Sequence, residues 1–385
     1  MAPLILQTAG EDSRDAVHRA VEILAAGGLV ALPTETVYGV AAMALDEQAV
    51  ASLVAAKQRS ANQPVTLALP SSDSVLDYVP AISPLARRLA RRGWPGPLTL
   101  VLQVDHPDSA VKQLPAEVQK IVSPEGMSGF RVPDNEVALS VLQLSAGPLV
   151  LSSANVHGHP AAENAKQAAA MGDCLSLVLD DGPARHHESS TVVRVEGNQW
   201  SLLREGVYSF DQIQAMSRLV ILCICTGNTC RSPMAEVLLK KRLADYYSCP
   251  FDQLLEKGIM VISAGVNAMP GSRASREAEQ VIAERDLDIS DHVSRAVDDK
   301  LVRFADHIWT MTRPHQEMMV KHWPDVAERI QVLDPGGTDL SDPIGGSPED
   351  YRQCAERIDK FLELRMQDID FSSLPDKDNS EEPNA

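Results

Sequence analysis

The sequence predicts two α/β domains in tandem, and three observations carry that reading. The second half alternates apolar runs with amphipathic stretches in a regular strand–helix rhythm. The first half mixes strands and helices without that rhythm, so some antiparallel pairing is expected. At 385 residues the chain is long enough for about two domains of ordinary size. The domains are expected at 1–212 and 218–370, with a short seam near 208–218. From 371 on, the stretch ending Pro375-Asp-Lys-Asp-Asn-Ser-Glu-Glu-Pro-Asn-Ala385 is polar and reads as a disordered tail.

In the first half, the apolar positions Val17, Ala20, Val21 and Leu24 predict a helix over 12–26, ended by Gly27-Gly28. Strands are expected at 29–32, 65–69, 98–104, 148–152, 175–179 and 191–195. Asp46 caps a helix running to about Lys57, and further helices are expected at 84–92 and 164–171. In the second half, strands are expected at 219–224, 258–263, 306–311 and 329–333, with helices at 233–247, 274–285, 314–322 and 348–367. That order is a doubly wound parallel sheet.

Composition narrows the function classes. The net charge of −18 is shared: residues 1–217 hold 15 basic and 23 acidic side chains, and 218–385 hold 20 and 30. Neither half reads as a strong nucleic-acid binder, so any RNA binding is weak or local. Arg87-Arg88 and Arg91-Arg92 form one basic cluster, read either as a local groove or as a solvated helix face. No apolar run is long enough to span a membrane, and no export signal is read. The six cysteines lack a framework spacing, which predicts reduced thiols in a cytoplasmic protein.

Cys225-Thr226-Gly227-Asn228-Thr229-Cys230-Arg231-Ser232 carries the clearest chemistry. It sits between a buried strand and a helix start with proline in its first turn, where backbone N–H groups and the helix dipole converge on an anion. The same field favours a thiolate at Cys225, a nucleophile for a bound phosphoryl group. Arg231 can grip two phosphoryl oxygens, Ser232 can hydrogen-bond the sulfur, and Asp342, on Leu340-Ser-Asp-Pro-Ile-Gly-Gly346, can serve as acid and then base. Cys223 is expected to point the other way along its strand, into the core.

These residues, over about 218–367, resemble the low-molecular-weight protein-tyrosine phosphatases, which need no cofactor. The wording from Cys225 to Glu236 is similar to the bacterial protein-arginine phosphatase branch. That resemblance implies that Thr229, where tyrosine phosphatases carry a larger aliphatic residue, favours phosphoarginine; phosphotyrosine is the alternative. Ile344 departs from the family's usual aromatic ring. The resemblance also implies a reversible redox pair of Cys225 and Cys230, against a reading of Cys230 as a packed loop residue.

In the first half, Pro33-Thr34-Glu-Thr36-Val-Tyr38-Gly39 offers hydroxyls for a small polar ligand. Lys57-x-Arg59, two apart, suits an extended segment with both cations on one face. With Arg131, Ser153-Ala-Asn155 and Ser190-Thr191 these suggest a nucleoside triphosphate site without a glycine-rich phosphate loop. Together with Pro64, Trp94-Pro-Gly-Pro-Leu-Thr99 and Arg204-x-Gly206, the set resembles the YrdC-like threonylcarbamoyl-adenylate synthases over about 10–208. The resemblance implies a mixed twisted α/β sheet and L-threonine, bicarbonate and ATP with Mg²⁺ as reactants, with no confident side-chain metal ligands. Thr34, Thr36 and Tyr38 would face threonine, Lys57 and Arg59 its carboxylate and the triphosphate, and Arg131, Ser153 and Asn155 the nucleotide. Ser190 and Arg204 complete the set. Partners would be phosphorylated proteins for one domain and tRNA-modification proteins for the other. The rival for the first half is a nucleotide- or RNA-binding regulator without synthase activity.

Overall fold

The computed structural model describes residues 2–8, 13–57, 65–156, 158–371 and 374. The chain divides into two compact units, Met1–Ala215 and Met216–Ala385. Arg59, Pro64 and the tail from 375 lie outside the described residues.

The first unit is built on ten strands: β1 (Leu4–Gln7), β2 (Val30–Leu32), β3 (Gly39–Met43), β4 (Thr66–Ala68), β5 (Leu98–Gln103), β6 (Met127–Arg131), β7 (Leu149–Ser153), β8 (Leu177–Asp180), β9 (Thr191–Glu196) and β10 (Gln199–Arg204). They form one mixed sheet in the order β1-β8-β2-β3-β7-β4-β6-β5-β9-β10. Four pairs are parallel (β1 with β8, β2 with β8, β4 with β6, β5 with β9), and the other five antiparallel. One face is closed by helices Ser13–Ala25 and Glu136–Leu144. Ala16, Val17, Ala20 and Leu24 of the first meet Val137, Val141 and Leu142 of the second over Val30, Leu32, Ala41 and Leu149. The i, i+3, i+4 spacing of these positions is what turns one stripe of each helix inward.

The expected elements of this unit are present with shifted ends, and β1, β3, β6 and β10 are additions to them. Two expectations change. Lys57 is not in an extended segment: it caps the helix Glu47–Ala56 in the right-handed helical region, its N–H reaching Leu53. The basic cluster on helix Pro84–Gly93 is not a uniformly solvated face, because Arg88 is buried while Arg87 is exposed.

The second unit has four parallel strands, β11 (Leu219–Cys225), β12 (Ile259–Gly265), β13 (His307–Thr310) and β14 (Ile330–Val332), in the order β12-β11-β13-β14. Strand β11 is central and buried throughout. Leu219, Ile221, Cys223 and Cys225 face one core, against helices Arg231–Tyr247 and Pro348–Arg365. Val220, Leu222 and Ile224 face the other, beneath helices Asp299–Phe304 and Arg313–His322. Burial on both faces is why the run has no polar alternation. It also corrects the expectation for Cys223, which is core but shares the face of Cys225, since strand side chains repeat every two residues. The helix after the loop starts at Arg231, two residues earlier than expected, so Pro233 is its third residue. The division between the units falls within helix Phe210–Ser217.

No helix among the described residues is long and apolar enough to cross a membrane. Ile221 is fully buried on the central strand. Ile221→Ala is expected to destabilise the second unit by about 2–5 kcal/mol through lost burial and a cavity. A urea titration followed by circular dichroism checks this, and an unchanged midpoint would contradict the placement of that core.

Candidate functional sites

In the second unit, β11 delivers Cys225 to the carboxyl edge of the sheet, and the chain turns at once into helix Arg231–Tyr247. The turn needs one residue in the left-handed region, and Asn228 takes it (φ 55°), a conformation asparagine tolerates better than most residues. Asn228 is fully buried, and its amide is satisfied on every side. Its Nδ2 donates to Ser232 Oγ and to Ser263 Oγ, both at 2.9 Å, and its Oδ1 accepts from the Arg295 N–H at 2.9 Å. Its own N–H points at Cys225 Sγ from 3.2 Å, and its carbonyl lies 2.8 Å from His292 Nε2. Ser263 Oγ in turn donates to the Glu236 carboxylate at 2.7 Å. The carbonyl of Thr229 is held by the Ser275 N–H at 2.8 Å. Three segments distant in sequence, around Ser263, Ser275 and His292–Arg295, thus fix the loop's shape before any ligand arrives.

The expected helpers gather around the sulfur. Ser232 Oγ lies 3.0 Å from Cys225 Sγ. Arg231 is 4% exposed despite its charge. It forms an ion pair with Asp342, donates to the Leu340 carbonyl at 3.1 Å and reaches Thr226 Oγ1 at 3.5 Å. The Asp342 carboxylate, which also accepts from the Ile344 N–H, is part-exposed at the mouth. Cys230 is buried, its sulfur 3.3 Å from Ser275 Oγ and 3.5 Å from the Tyr351 hydroxyl. Burial pushes the Tyr351 hydroxyl up to about 12 and drives the Cys223 thiol far above its usual range. Cys223 is therefore no rival nucleophile.

Two histidines belong to this centre without being singled out by the sequence. His292 supports Asn228, and His315 contacts Thr226 from 89 residues away (2.9 Å). No local pattern ties either to the loop; the sheet brings them there.

In the first unit, a cleft of about 450 Å³ opens on one face of the sheet. Its floor follows the strand period of two: Met127, Gly129 and Arg131 from β6, Thr99 and Val101 from β5, Val192 and Arg194 from β9, Leu151 and Ser153 from β7. Register sets Thr66, Gly129, Val101 and Arg194 in one cross-strand row. Of the predicted residues, Thr34, Tyr38, Arg131, Ser153, Ser190 and Arg204 line the cleft. Thr36, Lys57 and Asn155 stand one contact behind it. Thr36 Oγ1 accepts from Arg131 at 2.6 Å. Lys57 Nζ, 1% exposed, holds the Ser153 carbonyl, Ser153 Oγ at 3.1 Å and Asn155 Oδ1 at 2.6 Å.

The hairpin from β2 to β3 is stiffened from within, since Thr34 Oγ1 bonds Thr36 Oγ1 at 2.9 Å and the Val37 carbonyl at 2.6 Å. Tyr38 donates to the Gly182 carbonyl at 2.7 Å, and burial raises its hydroxyl to about 12. Glu35 is the residue that sequence reasoning passed over. Its carboxylate is fully buried, pairs with Arg131 at 2.8 Å and accepts the Asp134 N–H at 2.9 Å. An uncompensated charge there would be costly, so the pair is locked. Arg194 is a second omission: it adds a third guanidinium to the wall, half-turned to Glu196 at 2.7 Å. On β10, the strand paired with β9, Arg204 binds the Ser190 carbonyl at 2.7 Å, and Ser190 Oγ lies 2.9 Å from Thr99 Oγ1. Gly206 keeps the Ser189–Ser190 rim closed, because a Cβ there would sit 2.2 Å from the Ser189 carbonyl oxygen. Three guanidiniums and several hydroxyls lining one cleft suit a ligand with several anionic oxygens.

Known proteins match each unit separately. A family model described as "Telomere recombination", the Sua5/YciO/YrdC family, matches residues 22–206. A Mycobacterium tuberculosis protein, provisionally named threonylcarbamoyl-AMP synthase, is 37% identical over 50% of this chain and 85% of its own length. A model described as "Low molecular weight phosphotyrosine protein phosphatase" matches residues 220–372. The protein-arginine-phosphatase of Geobacillus stearothermophilus is 35% identical over 37% of this chain and 90% of its own. The chain belongs to both families. Both are families of enzymes, the first ATP-dependent. The crystal structure of Pyrococcus abyssi Sua5 complexed with L-threonine shares the fold, with a TM-score of 0.50 and 22% identity over 69% of this chain and 92% of that one. The mixed sheet of the Sua5/YrdC unit and the parallel sheet of the phosphatase unit are thus as expected.

Gly206→Ala should distort the Ser189–Ser190 rim while leaving the phosphatase unit untouched. Nucleotide binding by calorimetry is expected to weaken at least about tenfold, the scale of one lost charged hydrogen bond. Unaltered binding would mean that this rim does not meet the ligand.

Proposed function

We propose that the chain is a bifunctional enzyme, with synthase chemistry in residues 1–212 and phosphatase chemistry in 218–370. The cleft with its guanidiniums and hydroxyls supports the first half of this reading. In it, the amine of L-threonine takes up bicarbonate as a carbamate, with loss of water. The carbamate oxygen then attacks the α-phosphorus of ATP and pyrophosphate leaves, giving threonylcarbamoyl-AMP. Thr34, Thr36 and Tyr38 shape the threonine end. Lys57, one contact behind the wall, holds Ser153 and Asn155 in place, and Arg59 is assigned to the carboxylate and triphosphate oxygens. Arg131, oriented by Glu35, and Ser153, braced by Asn155, meet the nucleotide, with Ser190, Arg204 and Arg194 along the remaining wall. Magnesium would enter on the triphosphate, since among the described residues no three acidic, histidine or cysteine side chains gather to hold it. Catalysis is positioning and charge neutralisation, with no covalent intermediate on the protein.

In the second domain, Cys225 attacks phosphorus, and Asp342 protonates the leaving nitrogen or oxygen as its bond to phosphorus breaks. Water, activated by the same carboxylate, then cleaves the cysteinyl phosphate, while Arg231 and the loop N–H groups hold the equatorial oxygens. The likeness to a protein-arginine-phosphatase and the threonine at 229 support phosphoarginine proteins as substrates. The reading includes a cytoplasmic setting, weak or local RNA contact and partner proteins of tRNA modification that receive the labile anhydride.

Cys225→Ser should abolish phosphate release and spare threonine- and bicarbonate-dependent ATP–pyrophosphate exchange; Lys57→Ala should do the reverse. Loss of both activities in either variant would refute separate centres, and exchange absent from the parent chain would favour a binding module. Wild type should prefer a phosphoarginine protein to a phosphotyrosine peptide, and Thr229→Ile should move that ratio toward phosphotyrosine. A ratio that does not move removes Thr229 as the selecting residue.

A further inference from the structure

His315 is buried beneath the mouth of the phosphate loop and has no role in the chemistry described above. It is the third residue of helix Arg313–His322, whose N-cap is Thr312. Its ring stands between two hydroxyls: Nδ1 lies 2.8 Å from Thr312 Oγ1, and Nε2 lies 2.9 Å from Thr226 Oγ1. Thr226 Oγ1 in turn accepts from Arg231 Nη2 at 3.5 Å, and Arg231 pairs with Asp342. A single polar chain therefore runs from a helix N-cap to the guanidinium and the acid. We propose that His315 is a positioning residue of the phosphatase centre, holding the Thr226 hydroxyl so that Thr226 in turn orients Arg231.

The geometry works with a neutral ring. One nitrogen then donates and the other accepts, so Thr226 can give its proton to Nε2 and keep a lone pair for Arg231, while Nδ1–H is taken by Thr312. A protonated ring would present donors at both nitrogens and bring a second cation to the oxygen that Arg231 shares. The surroundings keep it neutral: burial first, then the charge of Arg231, hold His315 down to about 4 from the ordinary 6.5, against Asp342 and Asp339 pulling upward. Arg313 on the same helix is engaged with Asp339. The folded chain thus binds fewer protons here than the unfolded chain between those values. Stability from the neutral ring is complete above about 6.5 and is lost as pH falls toward 4.

The inference rests on the phosphatase reading, so its test uses two probes on the full chain: turnover of a phosphoarginine protein, and binding of orthovanadate as an oxyanion. His315→Leu should cost roughly 10- to 100-fold in kcat/KM and weaken orthovanadate by a similar factor, the scale of a hydrogen bond to a charged group. His315→Gln, whose amide can still hold Thr226, should stay within about threefold and lose the low-pH destabilisation. Thr226→Val should match His315→Leu, and the double variant should lose no more than either, since both break one chain. Should His315→Leu fail to fold by thermal melting, His315→Asn, too short to reach Thr226, takes its place. Wild-type turnover and orthovanadate affinity in the folded variant, or additive losses in the double variant, overturn the proposal. A wild-type chain that binds orthovanadate yet releases no phosphate from any phosphoprotein would instead sink the phosphatase reading.

Discussion

A polar group shut away from water must find its partners inside the protein, and both centres are shaped by that constraint. Asn228 is fully buried in a left-handed turn and can exist there only because Ser232, Ser263 and the Arg295 backbone meet its amide on every side. Those partners come from the central strand's neighbour, the following helix and a distant loop. The requirement to satisfy one side chain therefore fixes the curvature of the whole phosphate loop. In the synthase unit, Glu35 plays the equivalent part. Its buried carboxylate obliges Arg131 to lie along the cleft floor, and Arg131 obliges Thr36 to turn toward it.

The two centres use the same constraint for different chemistry. The phosphatase loop concentrates donors on one atom, Cys225 Sγ, with Ser232 and the Asn228 N–H both within hydrogen-bond reach. That suits a nucleophile that forms and breaks a bond. The synthase cleft spreads its cations over several strands, with Arg131, Arg194 and Arg204 set apart by the sheet register. That suits a long, multiply charged substrate held still while its own atoms react. In both units the sheet supplies the rigidity, and short loops at strand ends supply the functional groups.

How much could be read from the sequence follows from whether the physics is local. Strand β11 was legible because seven consecutive apolar residues leave no other buried arrangement before a loop of this kind. Cys225, Arg231 and Ser232 were legible because they lie within eight residues of one another. Asp342 was legible through its Pro/Gly loop, and it pairs with Arg231 across 111 residues. The short strands β3 and β6 were not, because Gly39-Val-Ala-Ala-Met43 and Met127-Ser-Gly-Phe-Arg131 lack alternation and owe their form to pairing with β7 and β5. Lys57 was assigned an extended segment because its spacing from Arg59 allowed one, but it is the C-cap of the preceding helix, in the right-handed helical region. Glu35 lay inside a motif read for its hydroxyls alone, and His292, Arg194 and His315 carried no sequence signal. Each acquires its place from contacts that only the folded sheet creates.

The central claim is that one centre works through a covalent cysteine and the other through positioning alone. The most direct measurement is peptide mass spectrometry of the full chain, acid-quenched during turnover with phosphoarginine protein and, separately, with ATP, L-threonine and bicarbonate. The account predicts a phosphoryl group on Cys225 in the first quench. It predicts free threonylcarbamoyl-AMP with no adduct on residues 1–212 in the second. A phosphoryl group on any other residue, or an adenylyl or acyl adduct in the synthase unit, would contradict it.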